Sequence, residues 1–150
     1  MGREITVELT TMCMICDGDK VLVLDRSKPD WSGLAFPGGH VEKGESFTES
    51  VIREVREETG LTIESPRLCG IQQWEFEGGN RYITMFFKTE YFSGELTSSK
   101  EGKAFWIKRE DITPQRSARE FDKILRVFEE ENLSEYYLRE SQGEWQRSLL

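Results

Sequence analysis

The 150-residue sequence has one histidine (His40), three cysteines and four prolines, and no apolar run near the ~20 residues needed to cross a bilayer. Each shortage excludes something. A single histidine removes His-rich zinc centres and leaves little room for a Ser-His nucleophile pair. An odd cysteine count fits free thiols in a reducing cytoplasm better than a disulfide scaffold. Cys13 and Cys16 have the spacing of a redox or zinc pair, but on a strand residues three apart point to opposite faces, so the pair is read as core. Positive charge is short as well: 20 Lys and Arg face 28 Asp and Glu, for a net charge of -8. Such a surface suits no nucleic-acid polymer, which is held by surplus cations, yet it admits a polyphosphate when metal ions stand between carboxylate and phosphate.

The amino terminus, MGREITVEL, has no basic segment followed by an apolar one, so no secretory signal is expected. MGREIT matches a loose myristoylation pattern without polybasic support. A cytoplasmic protein with no membrane partner is the expectation.

What is present is enough for a core. At 37% hydrophobic residues, with nine Phe, four Trp and four Tyr, the chain is expected to form one domain over residues 1–150. Residues 4–16 read as a strand, followed by the turn Asp17-Gly18-Asp19 and a returning strand over 20–26. Residues 27–33 (SKPDWSG) read as a loop, and 67–76 and 81–92 as a second hairpin closed by Gly78-Gly79-Asn80. A short strand is expected at 102–108. A second helix is expected over about 117–132, opened by Ser117 and Glu120 as a capping box, with a polar tail in which Tyr136, Tyr137 and Trp145 are docking points.

The most informative stretch is 39–61. Ser46 and Glu49 form a capping-box pattern and Gly60 supplies the stop, which predicts a helix between them. On a helical wheel Phe47, Val51 and Val55 make the core face, and Glu58 falls between Phe47 and Val51. A carboxylate there is half-buried and needs a partner. Glu54, Glu57 and Glu58 repeat at i, i+3 and i+4, an arrangement that costs a few tenths of a kcal/mol for each like-charged pair. A bound divalent cation would offset it. With carboxylates and backbone carbonyls as donors, the hard-oxygen set favours Mg²⁺ or Mn²⁺ and points to metal-assisted phosphoanhydride cleavage.

Gly39, Glu45, Arg53-Glu54-Val55, Glu57-Glu58 and Gly60-Leu61 stand at the spacing of the Nudix box, with no position missing. The chain is similar to the MutT-like branch of the Nudix hydrolases, and Phe36-Pro37-Gly38-Gly39 ahead of the box strengthens the likeness. The resemblance implies an α/β/α sandwich with a mixed β-sheet and hydrolysis of a nucleoside diphosphate linked to a further moiety. It implies that Glu54, Glu57 and Glu58 bind Mg²⁺, completed by the carbonyl of Gly38 or Gly39. Glu54, or a carboxylate in a later loop, would orient or deprotonate water; Arg53 would hold the glutamates. Glu45 would lie in or just outside the metal shell.

Beyond the box, Arg26 matches a phosphate-contacting position, and Glu101 resembles a distal glutamate that some members use as ligand or base. Trp74 and Phe76 are candidates to stack on a base, and His40 to support its loop. The substrate that the resemblance implies is a purine nucleoside triphosphate such as 8-oxo-dGTP, cleaved to monophosphate and pyrophosphate. One departure stands against purine-edge readout: where MutT-like members often carry Asn near the last helix, this chain has Arg116, Ser117, Ala118 and Arg119. ADP-ribose, a dinucleoside polyphosphate, or a silent nucleotide-binding sensor are the alternatives.

Overall fold

A computed structural model describes residues 2–150. Eleven strands and two α-helices follow in the order β1 (Val7–Asp17), β2 (Lys20–Lys28), β3 (Trp31–Ala35), β4 (Gly38–His40), α1 (Phe47–Thr59), β5 (Thr62–Glu64), β6 (Arg67–Phe76), β7 (Asn80–Thr89), β8 (Tyr91–Ser93), β9 (Lys103–Lys108), α2 (Phe121–Glu129), β10 (Glu135–Ser141) and β11 (Glu144–Leu149). The large sheet runs β11-β10-β6-β7-β1-β2-β3, with β4 added on β1 and β9 on β2. It is mixed, because β1 pairs with β7 and β10 with β6 in parallel while the other pairs are antiparallel. A small antiparallel pair, β5 and β8, stands apart.

Strand alternation puts one helix on each face. On β1, Cys13 and Ile15 join Val51 and Val55 of α1, whereas Met12 and Met14 join Phe121, Ile124 and Phe128 of α2. Burying Val51 and Val55 completely contributes about 2 kcal/mol each. On the opposite face, Phe36 fixes α2 by edge contacts with Phe121 and Phe128 at 4.8 and 5.1 Å. This is the α/β/α sandwich with a mixed sheet that the resemblance implied. Cys13 and Cys16 sit in opposite layers, and all three cysteines are free thiols.

Helix α1 keeps its expected bounds: both hydrogen bonds of the Ser46–Glu49 capping box are present, and Gly60 ends it at φ 79°. A side chain at Gly60 would also meet the Glu95 carbonyl at 2.6 Å, so this stop is closed to other residues on two counts. Phe47, expected in the core, is 42% exposed. The buried face of α1 starts at Ser50, so its first turn stands off the sheet.

Four more expectations are corrected. The stretch 27–33 is mostly strand: Ser27 pairs with Ser32 and Lys28 with Trp31, leaving only Pro29 and Asp30 in the turn. Cross-strand pairing overrides the turn-prone composition. The second helix begins at Phe121, not Ser117. Ser117 donates to the Thr113 carbonyl, and residues 116–118 run along β3 through Leu34 N–H to Arg116 and Ala118 N–H to Leu34. The polar tail is a β-hairpin, β10–β11, whose first strand extends the sheet beside β6. Finally, Phe92 leaves β7 for β8, and no helix among the described residues is long and apolar enough to cross a membrane.

Candidate active site

Arg53 organises the acidic end of α1. Its Nε and Nη2 donate to the two oxygens of Glu45 at 2.7 and 3.0 Å, Nη1 donates to Glu54 at 2.9 Å and Glu57 at 3.2 Å, and Nη2 reaches the His40 carbonyl at 3.0 Å. One planar, always-charged fork thus spans helix and preceding loop, which an ammonium cannot do. The Arg53 guanidinium, with the Glu42 N–H, holds the Glu45 carboxyl down to about 2. His40 serves the loop through its carbonyl; its exposed imidazole faces Glu8 at 3.3 Å.

Glu58 is the buried member, 4% exposed. It accepts from Gly38 N–H at 3.2 Å and from Arg26 at 3.5 Å. Burial pushes its carboxyl up to about 7 against the pull of Arg26 and Gly38. The partner anticipated for a half-buried carboxylate is therefore Arg26, which is itself buried and lies 3.6 Å from Glu101. Lys28 holds Glu101 at 2.8 Å and keeps its carboxyl below the usual range. The Arg26 guanidinium lies 4.2 Å from the centre of the Trp31 ring, while its buried Nε has no partner among the described residues. Arg26, Glu54, Glu58 and Glu101 line one cleft of about 410 Å³ with Gly38 and Gly39.

Glycine at 38 and 39 is what lets the β4 backbone approach. A Cβ at Gly38 would fall 2.0 Å from the Thr11 carbonyl oxygen, and one at Gly39 would fall 2.4 Å from the Glu54 carboxyl carbon. Glu57 is different: its side chain is 59% exposed and, among the described residues, held only by Arg53. Among the described residues no three acidic, histidine or cysteine groups are already arranged around one metal position. The donor set nevertheless fits a hard divalent cation. It offers a desolvated carboxylate 3.5 Å from the buried Arg26, a second carboxylate pressed on a side-chain-free backbone, and an exposed third one held by Arg53. Glu54, Glu57 and Glu58 with a Gly38 or Gly39 carbonyl could hold it.

A second cavity, about 460 Å³, adjoins this cleft, and both are lined by Met12, Trp31, Tyr82 and Thr84. Trp74 lines it and stacks on Tyr82 at 4.2 Å and 9°. Phe76 does not line it; it sits 38% exposed at the end of β6, opposite Asn80. Gln72, Trp145, Arg119 and the ion pair Glu120–Arg147 complete the wall. Sequence reasoning missed most of these. Trp145 was visible as an aromatic in a polar tail, but the hairpin that brings it to the cavity was not. Gln72 and Tyr82 could have been found only from the register that sets Gln72 beside Thr84 and Trp74 beside Tyr82.

Residues 7–128 match the NUDIX domain family. The chain belongs to the Nudix family. An uncharacterized Nudix hydrolase of Bacillus subtilis strain 168, YvcI, is 37% identical over 111 residues, covering 71% of this chain and 69% of that protein. The NAD-capped RNA hydrolase NudC of Mycobacterium tuberculosis is 34% identical over 111 residues, and this Nudix chain spans 34% of its length. Among solved structures, a mutator MutT protein from Bacillus halodurans superposes with a TM-score of 0.78 at 30% identity, over 95% of this chain and 97% of that one. This Nudix chain is MutT-like in fold and connectivity. The hairpin that supplies Trp145 and Arg147 lies beyond the matched domain residues.

Proposed function

We propose that this Nudix protein is a Mg²⁺-dependent nucleoside triphosphate diphosphatase of the MutT type, which takes purine nucleotides, oxidised ones such as 8-oxo-dGTP included, and releases the monophosphate and pyrophosphate. The observation that carries the reading is the shared wall of the two cavities. An aromatic chamber large enough for a base shares Met12, Trp31, Tyr82 and Thr84 with a cleft of carboxylates and a buried arginine. A nucleotide lying along that wall has its base beside Trp74 and its phosphates beside Arg26.

In this reading Glu54, Glu57 and Glu58 hold Mg²⁺ with a Gly38 or Gly39 carbonyl. Bound there, the metal ion supplies charge neutralisation on the phosphoryl oxygens and a more acidic water. The protein's own residues do the rest. Arg53 keeps the carboxylates of Glu54 and Glu57 oriented through its fork, and Glu45 anchors Arg53. Arg26 meets a phosphate oxygen, fixed in direction by the Trp31 face behind it. Glu54 or Glu101 accepts the proton of the attacking water; both line the cleft, and Glu101 is held ionised by Lys28. Trp74 gives the base an apolar stacking surface.

A dinucleotide-like diphosphate is the second reading, favoured by the relative named for NAD-capped RNA. An RNA polymer is not proposed, given the net charge of -8. The deciding test is kcat/KM with Mg²⁺ across 8-oxo-dGTP, dGTP, ADP-ribose and a diadenosine polyphosphate. The account expects the triphosphates to lead by at least about tenfold, a difference of about 1.4 kcal/mol. Preference for ADP-ribose would overturn the substrate class and keep the chemistry; no turnover on any of the four would overturn the enzyme.

A further inference from the structure

Gln72 is a polar side chain for which the folded protein supplies no hydrogen-bond partner among the described residues. It is 9% exposed, it lines the aromatic cavity, and among the described residues its carboxamide makes no hydrogen bond. Its amide nitrogen and oxygen are not fully sealed from water, so a base seated in the cavity would take the place of that water. Among the described residues none of its polar neighbours is bonded to it. Thr84, directly across the ladder, is engaged with Thr10 at 2.7 Å. Glu120 has both oxygens on Arg147, and one of them also on the Tyr136 hydroxyl. What exposure Gln72 retains opens into the cavity.

We infer that Gln72 is a specificity-determining residue that reads the edge of a nucleobase seated in the Trp74 chamber, donating and accepting one hydrogen bond each. A carboxamide carries a donor and an acceptor side by side, and it matches any base edge where an N–H neighbours a ring nitrogen or carbonyl. The inference rests on the proposed nucleotide substrate and deepens it. It also answers the missing Asn near the last helix: the amide is supplied instead from β6, two residues before the aromatic that lines the same wall. Since the amide can rotate end for end, Gln72 alone does not separate adenine from guanine; it separates bases with a donor–acceptor edge from those without. Oxidised guanine gains an N–H at N7 beside its O6 carbonyl, a donor–acceptor edge that guanine lacks on that side.

The test pairs 8-oxo-dGTP with purine riboside triphosphate, whose base has ring acceptors and no N–H, on the wild type and on Gln72→Leu. The wild type is expected to favour 8-oxo-dGTP by about tenfold or more in kcat/KM, the discrimination of a site whose buried polar group is left unpaired by the wrong ligand. Gln72→Leu is expected to lose that preference, falling on 8-oxo-dGTP while staying within about twofold on purine riboside triphosphate. Equal losses on both substrates, or none on either, would overturn the assignment and leave Gln72 a packing residue. Should the variant not fold, equal use of the two substrates by the wild type alone overturns it. No turnover of either triphosphate would instead count against the proposed function. Quenching of the cavity tryptophans by the two monophosphates then decides Gln72: a Kd ratio that collapses in Gln72→Leu supports it, and an unchanged ratio overturns it.

Discussion

Arg26 and Trp31 stand with guanidinium carbon and ring centre 4.2 Å apart, and this contact joins the two halves of the site. Trp31 lines both cavities, whereas Arg26 lies in the carboxylate cleft between Glu58 and Glu101. The pair sits on neighbouring strands of one hairpin, so its geometry is set by the β2–β3 register rather than by a mobile loop.

Removing Arg26 should therefore act on stability as well as on phosphate binding. At pH 8, Arg26→Met removes the cation beside buried Glu58 and should lower stability, by less than the ~3 kcal/mol of an uncompensated buried charge because Glu58 can take up a proton. Chemical denaturation in chelator should show that loss. Arg26→Lys should recover part of the stability and little of kcat/KM, because an ammonium cannot reach Glu58, Glu101 and a phosphate from one plane. A Met variant as stable as wild type would show that Glu58 is neutral or otherwise paired.

Glu58 makes the opposite prediction when it is itself neutralised. Its desolvated carboxylate is a cost in the metal-free protein and a gain once a cation is held. Glu58→Gln should match or exceed the wild-type melting temperature in chelator at pH 8, and should lose most of the increase that millimolar Mg²⁺ gives the wild type. Equal Mg²⁺-induced shifts in the two proteins would remove Glu58 from the metal set.

The C-terminal hairpin can be tested through Glu120. Burial raises its carboxyl, but Arg147 and the Tyr136 hydroxyl outweigh this and leave it below the ordinary value of 4.5. A depressed folded pKa gives stability that is full above 4.5 and is lost as pH falls below it. Glu120→Gln should thus lower wild-type stability by about 1 kcal/mol at pH 7, a figure reduced for the partial exposure of Arg147. The gap should narrow as the pH is taken below 4.5. A gap that stays constant down to pH 3 would mean that the carboxylate's charge is not what the hairpin uses.

What could be read in the chain and what could not divides along a physical line. The glutamate helix was legible because capping, stop and charge pattern are local: Ser46, Glu49, Gly60 and the burial of Glu58 follow from positions within one element. Glu58's partner was not, since Arg26 is 32 residues away and meets it only through the fold. The same holds at Ser117, where local capping chemistry lost to pairing with Leu34 and to a Glu120 side chain already taken by Tyr136 and Arg147. Phe47 fell on the apolar side of an ideal wheel, yet a first turn that overhangs the sheet has nothing to be buried against. The base chamber was least legible of all, because its walls come from six separate strands and one helix start.

The central claim is that carboxylates of α1 hold a divalent cation which drives release of pyrophosphate from a nucleoside triphosphate. The most direct measurement follows nucleoside monophosphate and pyrophosphate from 8-oxo-dGTP for the wild type and Glu57→Gln, each with Mg²⁺ and with chelator. Glu57 is exposed and among the described residues its side chain pairs only with Arg53, so its amide variant should keep the wild-type melting temperature. The account predicts equimolar monophosphate and pyrophosphate from the wild type, no release in chelator, and a fall in kcat of about a hundredfold or more in Glu57→Gln. Release of orthophosphate, turnover in chelator, or near wild-type kcat from the variant would contradict it.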